Sequence, residues 1–94
     1  MPSTILATSR VMVAKEQVSC DLAGDAAILN LQTGVYYGLD PVGARIWNLI
    51  QQPRTVSDVV EVLLKEYEVD SERCERDVFG LLQELASENL IEVT

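Results

Sequence analysis

The side chains of this 94-residue chain whose types could do chemistry are two thiols, Cys20 and Cys74, and fifteen Asp and Glu, with no histidine anywhere. Without histidine the chain lacks the commonest general base, every Ser-His or Cys-His nucleophile pair and the usual zinc ligand set. A paired-carboxylate site would need a concave pocket that perturbs one pKa, and a domain this short has little volume for one. Cys20 and Cys74 are far apart and form no CxxC, so two free thiols in a reducing compartment are expected. Glycines 24, 34, 38, 43 and 80 fall into neither GxGxxG nor GxxxxGK[ST], so no phosphate cradle is encoded. Asp70-Ser71 at a helix start resembles the attachment site of an acidic carrier protein. Such carriers are helical throughout, whereas the first forty residues here read as strands, so Ser71 reads as the first residue of a capped helix. The expectation is a protein without catalysis, cofactor or metal.

The elements that must position these groups belong to one small domain, residues 1–94, with room for a single core and a flexible stretch over 1–9. A composition of 48 % hydrophobic and 23 % charged residues argues for a folded chain. The net charge of −8 repels phosphate backbones, and no Lys/Arg cluster offsets it, which disfavours a nucleic-acid partner. Residues 1–10 contain neither a signal-peptide core nor a membrane span, so the expected location is cytoplasmic, with no membrane partner.

The first half reads in strands. Arg10 to Val18 has the mixed pattern of a strand entering a sheet edge. Ala26 to Leu31 and Val35 to Leu39 form a hairpin around Gln32-Thr33-Gly34, where glycine takes positive φ without a Cβ clash. The second half reads in helices. Asp40 caps a helix beginning at Pro41, with Val42, Ile46, Trp47, Leu49 and Ile50 at helical spacing, and Pro53 ends it. Thr55 and Asp58 open a second helix striped by Val56, Val59, Val60, Leu63 and Leu64, running to about Tyr67. Asp70 caps a third, with Asn89 as a left-handed terminator before a short wing strand, Leu90 to Val93. The fold class is α+β, a winged helix-turn-helix with three N-terminal strands followed by three helices.

Two features are suited to holding a partner. Along the third helix Cys74, Val78, Leu81, Leu82, Leu85 and Phe79 span an arc of about 160°, wider than the ~100° that seats a helix on a core. Either this is a well-buried helix or part of the arc faces a partner. On the third strand, alternation sends Val35, Tyr37 and Leu39 to one face and Tyr36 and Gly38 to the other. If that strand is last in its sheet, its free N–H and C=O groups can accept a peptide as an added strand.

The ordered set Leu29-x-Leu31-x-x-Gly34-x-Tyr36-Tyr37-x-Leu39-Asp40-x-x-Gly43-x-x-Ile46-Trp47-x-Leu49, then Pro53-x-Thr55-Val56, resembles the PqqD-like family of peptide-recognition domains, the RiPP recognition elements. The resemblance continues through Tyr67-x-Val69-Asp70, Asp77-Val78, Leu81-Leu82-x-x-Leu85 and Asn89-Leu90-Ile91. It implies a winged-helix protein that binds the leader of a ribosomally made precursor peptide. It is most similar to the discrete leader-binding proteins of lasso-peptide clusters, which act as peptide chaperones for a leader peptidase and a lasso cyclase. The leader is then expected against the third strand, beneath the third helix. Carried over by motif, the binding residues are Val35, Tyr36, Tyr37 and Leu39 on the strand and Cys74, Asp77, Val78 and Leu81 on the helix. Asp77 and Glu84 are available to a basic leader residue. The alternatives are a winged-helix DNA binder, which the charge disfavours, and an acidic carrier modified on Ser71.

Overall fold

The computed structural model describes residues 5–15, 17–22 and 25–94. In chain order the described elements are β1 (Arg10–Val13), β2 (Gln17–Leu22), β3 (Asp25–Asn30), β4 (Tyr36–Leu39), α1 (Pro41–Leu49), β5 (Arg54–Thr55), α2 (Val56–Glu66), α3 (Ser71–Ser87) and β6 (Ile91–Val93). The α+β class is as the sequence reads: strands first, three helices after.

One expected strand divides. Arg10 to Val18 is interrupted after Val13, and its halves enter different sheets, ordered β5-β1-β6 and β2-β3-β4. The reason is burial. Val11 and Val13 both point into the core, and β1 is held between β5 and β6, with Val13 N–H donating to Ile50 C=O at 3.1 Å and Ala14 N–H to Leu90 C=O at 2.9 Å. Ala14 and Lys15, residues of low strand preference, follow β1, and β2 pairs antiparallel with β3 while Glu16 lies outside the described residues. The C-terminal segment expected as a wing is β6, and it closes on β1. Of residues 1–9, expected as a flexible end, Ile5 is buried. The carbonyls of Ala7 and Ser9 each accept a 3.0 Å bond from the first turn of α2, while residues 1–4 lie outside the described residues. Gly24, one of the glycines weighed in the sequence, also lies outside them.

The helices start and stop where their caps lie. Asp40 accepts the Gly43 N–H at 2.7 Å with Pro41 at the first helical position, Thr55 accepts from Asp58 at 3.1 Å, and Asp70 accepts from Arg73 at 3.4 Å. At the end of α3, Asn89 adopts φ 57°. Leu90 N–H reaches Leu85 C=O at 2.9 Å and Asn89 N–H reaches Ala86 C=O at 3.0 Å, the paired bonds of a Schellman cap, and the accompanying contact is between buried Leu85 and Leu90. This reversal sends the chain back to pair with β1.

The core gathers one stripe from each helix: Ile46, Trp47 and Ile50 of the α1 region, Val56, Val59 and Leu63 of α2, and Val78, Leu82 and Leu85 of α3. The sheet supplies Ile28, Ala26 and Leu39. Buried Asn30 links the meander to α3. Its Nδ2 donates to Glu88 C=O at 2.9 Å, and its Oδ1 accepts from Gln32 and Thr33 in the β3–β4 turn. The turn is completed by Gly34 at φ 72°, a conformation that costs glycine nothing. Asn30 thereby fixes where β4 begins relative to the last turn of α3.

Candidate functional site

Strand β4 is last in its sheet; among the described residues its outer side pairs with no strand. Which backbone groups face that side follows from the register. Asn30 donates its N–H to Val35 C=O at 3.0 Å, and the Cα pairs are Leu29 with Tyr36, Ile28 with Tyr37, Ala27 with Gly38 and Ala26 with Leu39. In an antiparallel ladder this makes Ile28–Tyr37 and Ala26–Leu39 the pairs that exchange N–H and C=O bonds. Tyr37 and Leu39 are therefore committed to β3, and the N–H and C=O groups of Tyr36 and Gly38 point to the open edge. Val35 is not among the outward groups, because its N–H donates to Thr33 Oγ1 at 3.3 Å.

Beside this edge lies a groove with two lobes. The first, about 480 Å³, is lined by Tyr37, Gly38, Leu39, Asp40, Val42, Gly43, Ile46, Asp77 and Leu81. The second, about 430 Å³, continues toward the start of α3, with Val42, Ile46, Leu63, Cys74 and Val78 as its apolar wall and Tyr67, Val69, Glu68, Asp70, Arg73 and Asp77 around it. Val42, Ile46 and Asp77 belong to both lobes. Val42, Tyr67 and Val69 are 42 %, 37 % and 47 % exposed, so the mouth of the second lobe is an apolar surface facing water. Helix capping explains the opening: Asp40 turns the chain sharply from β4 into α1, which leaves Val42 in the first turn outside the core.

At the far end of the first lobe the Tyr37 hydroxyl donates to Glu84 Oε2, joining β4 to α3. Desolvation, then the hydrogen bond and the Glu84 charge, push the Tyr37 pKa up to about 12. The Cys74 thiol is also raised, first by burial and then by the fields of Asp77 and Glu75, so it is a poor nucleophile in the groove wall. Both cysteines are free, Cys20 exposed and Cys74 buried. Among the described residues no group of three or more His, Cys, Asp or Glu is arranged to hold a metal. No helix among them is long and apolar enough to cross a membrane.

Of the eight residues singled out in the sequence, six line the groove: Tyr37, Leu39, Cys74, Asp77, Val78 and Leu81. The other two do not. Val35 and Tyr36 are 53 % and 70 % exposed and line neither lobe, and Tyr36 shares the opposite face of the sheet with Leu29. What Tyr36 offers the edge is its backbone. Sequence reasoning missed Val42, Ile46, Tyr67 and Val69 as lining. The off-core apolar residues Tyr67 and Val69 beside a helix cap were the available signal.

These features define a class: a winged-helix domain with an unpaired strand edge facing an apolar groove under its third helix. Its sequence over residues 25–91 matches the family model of coenzyme PQQ synthesis protein D (PqqD), and the chain belongs to that family. Among solved structures it is similar to TbiB1 in complex with the TbiA(beta) leader peptide, at 37 % identity over 86 % of this chain and 94 % of that one, with a TM-score of 0.80. The fold is shared with a lasso peptide synthetase B1 complexed with its leader peptide, at 23 % identity, 87 % and 96 % coverage and a TM-score of 0.77. Among curated proteins none matches.

Proposed function

We propose that this chain is a non-catalytic adaptor of lasso-peptide maturation that binds the leader segment of a ribosomally synthesised precursor. The leader adds to β4 as a further antiparallel or parallel strand, and its groove-facing side chains enter the two lobes. The observation that carries this reading is the free N–H and C=O row of Tyr36 and Gly38 beside a groove walled by Leu81, Val78 and Cys74. The 37 % identical relative, whose structure is a complex with a leader peptide, supports it. Each added backbone bond contributes a net ~1 kcal/mol and each fully buried apolar side chain ~1.5 to 3 kcal/mol.

The adaptor would then raise the local concentration of precursor at a leader peptidase and a macrocyclase. Two unpaired thiols suit the reducing cytoplasm, where we place it. The test is fluorescence anisotropy with the labelled leader of the precursor encoded in the same cluster. Saturable binding at about micromolar or tighter, on the order of −8 kcal/mol, is expected. No binding at tens of micromolar would overturn the proposal.

A further inference from the structure

The geometry points to Asp77 as the residue that selects the charge of the bound segment: the groove takes an extended peptide in which a lysine or arginine stands between two apolar, groove-facing residues. This inference rests on the leader-binding reading above. Three observations carry it. First, Asp77 is one of three residues common to both lobes, and the other two, Val42 and Ile46, are apolar. A carboxylate at the junction of two apolar compartments puts a negative charge between two greasy subsites.

Second, three nearby carboxylates have hydrogen-bond partners that Asp77 lacks, and Glu68, which also has none among the described residues, lines only the second lobe. Asp40 accepts from Gly43, Asp70 accepts from Arg73 N–H, and Glu84 accepts from Tyr37. Among the described residues Asp77 meets only Arg73, at 4.0 Å, with the two side chains 69 % and 77 % exposed. An ion pair that long and that wet is easily exchanged for a better-placed cation. Arg73 is also the one cation lining either lobe among the described residues, against Asp40, Glu68, Asp70 and Asp77. The groove is thus complementary to a positive side chain.

Third, the length fits. From Asp70 at the cap of α3 to Leu81 the groove follows about 16 Å of helix, which matches about five residues of extended chain. In a strand paired to β4 alternate side chains face α3, so about three enter the groove: one for each lobe and one at the junction. The junction residue is the one that meets Asp77.

The experiment is a charge-swap cycle at low ionic strength, using the full-length protein and the labelled leader, with each leader Lys or Arg replaced in turn by Gln and by Glu. Asp77→Asn should weaken binding about threefold to fivefold, with an unchanged melting temperature. One leader basic residue should lose its contribution in that variant and no other. Asp77→Lys should lose more, and the Lys-to-Glu or Arg-to-Glu leader at that position should restore most of it. Arg73→Gln should hold or raise affinity, since it removes a competing cation; a merely structural role for the Arg73–Asp77 pair would make it weaken binding like Asp77→Asn. Equal effects of every basic substitution on wild type and Asp77→Asn overturn the inference while leaving leader binding intact. So does a tightly bound leader with no basic residue in the groove-binding stretch. Failure of wild type to bind any leader removes both readings.

Discussion

Replacing Gly38 by proline separates peptide pairing from folding. Gly38 sits in a non-exchanging pair with Ala27, so its N–H makes no bond to β3 and its removal leaves the ladder whole. Its φ is outside the left-handed region, a Cβ placed there meets nothing within 4 Å, and the ring's Cδ would take the place of the N–H on the open side of the strand. Proline also asks the preceding residue to be extended, and Tyr37 already is. An added leader strand, by contrast, loses the donor for one of its carbonyls. The missing bond is worth ~1 kcal/mol and the stranded acceptor a further ~1 to 2 kcal/mol, which together predict a rise in Kd of roughly thirtyfold to somewhat over a hundredfold. Anisotropy with the labelled leader reads the affinity, and thermal melting by circular dichroism reads the fold. Gly38→Ala keeps the N–H and should bind within about twofold of wild type. A Gly38→Pro protein that melts and binds as wild type would refute the pairing of a peptide with this edge. Tyr37→Pro, whose N–H is committed to Ile28, should instead destabilise the domain itself.

Asp40→Ala removes the oxygen that accepts the Gly43 N–H at 2.7 Å and should cost about 1 kcal/mol in urea denaturation. The alkaline absorbance titration of the three tyrosines should contain one that ionises near 12, and Tyr37→Phe should delete that step. Because the folded-state pKa of Tyr37 lies above its unfolded value of 10.0, its stabilising contribution is complete below about pH 10 and disappears as pH rises toward 12. With Ellman's reagent, exposed Cys20 should react quickly and buried Cys74 slowly, as burial both hides the thiol and raises its pKa.

The helical half was legible because its signals are local. Asp40-Pro41, Thr55 with Asp58, and Asp70 each cap the helix they precede, and Asn89 ends α3 in the left-handed conformation. The strand half was less so. Nothing local in Arg10 to Val18 says that Val13 is the end of one sheet and Gln17 the start of another. That division is set by β6, which arrives from the far end of the chain. The groove lining on α3 could be placed from its apolar arc, since Cys74, Val78 and Leu81 share a face and Leu81 is left half-buried at its margin. On β4 the alternation separated Tyr37 and Leu39 from Tyr36 correctly, but side-chain alternation does not say which backbone groups point outward. That depends on the pairing phase, fixed here by the Asn30–Val35 bond, which turns the groups of Tyr36 and Gly38 to the edge.

The most direct measurement of the central claim is amide hydrogen exchange, resolved by residue with NMR, on the protein alone and saturated with leader peptide. The Tyr36 and Gly38 amides should exchange freely in the unbound protein and become protected in the complex, while Tyr37 and Leu39 are protected in both. Leader binding that leaves Tyr36 and Gly38 unprotected would contradict capture along the β4 edge.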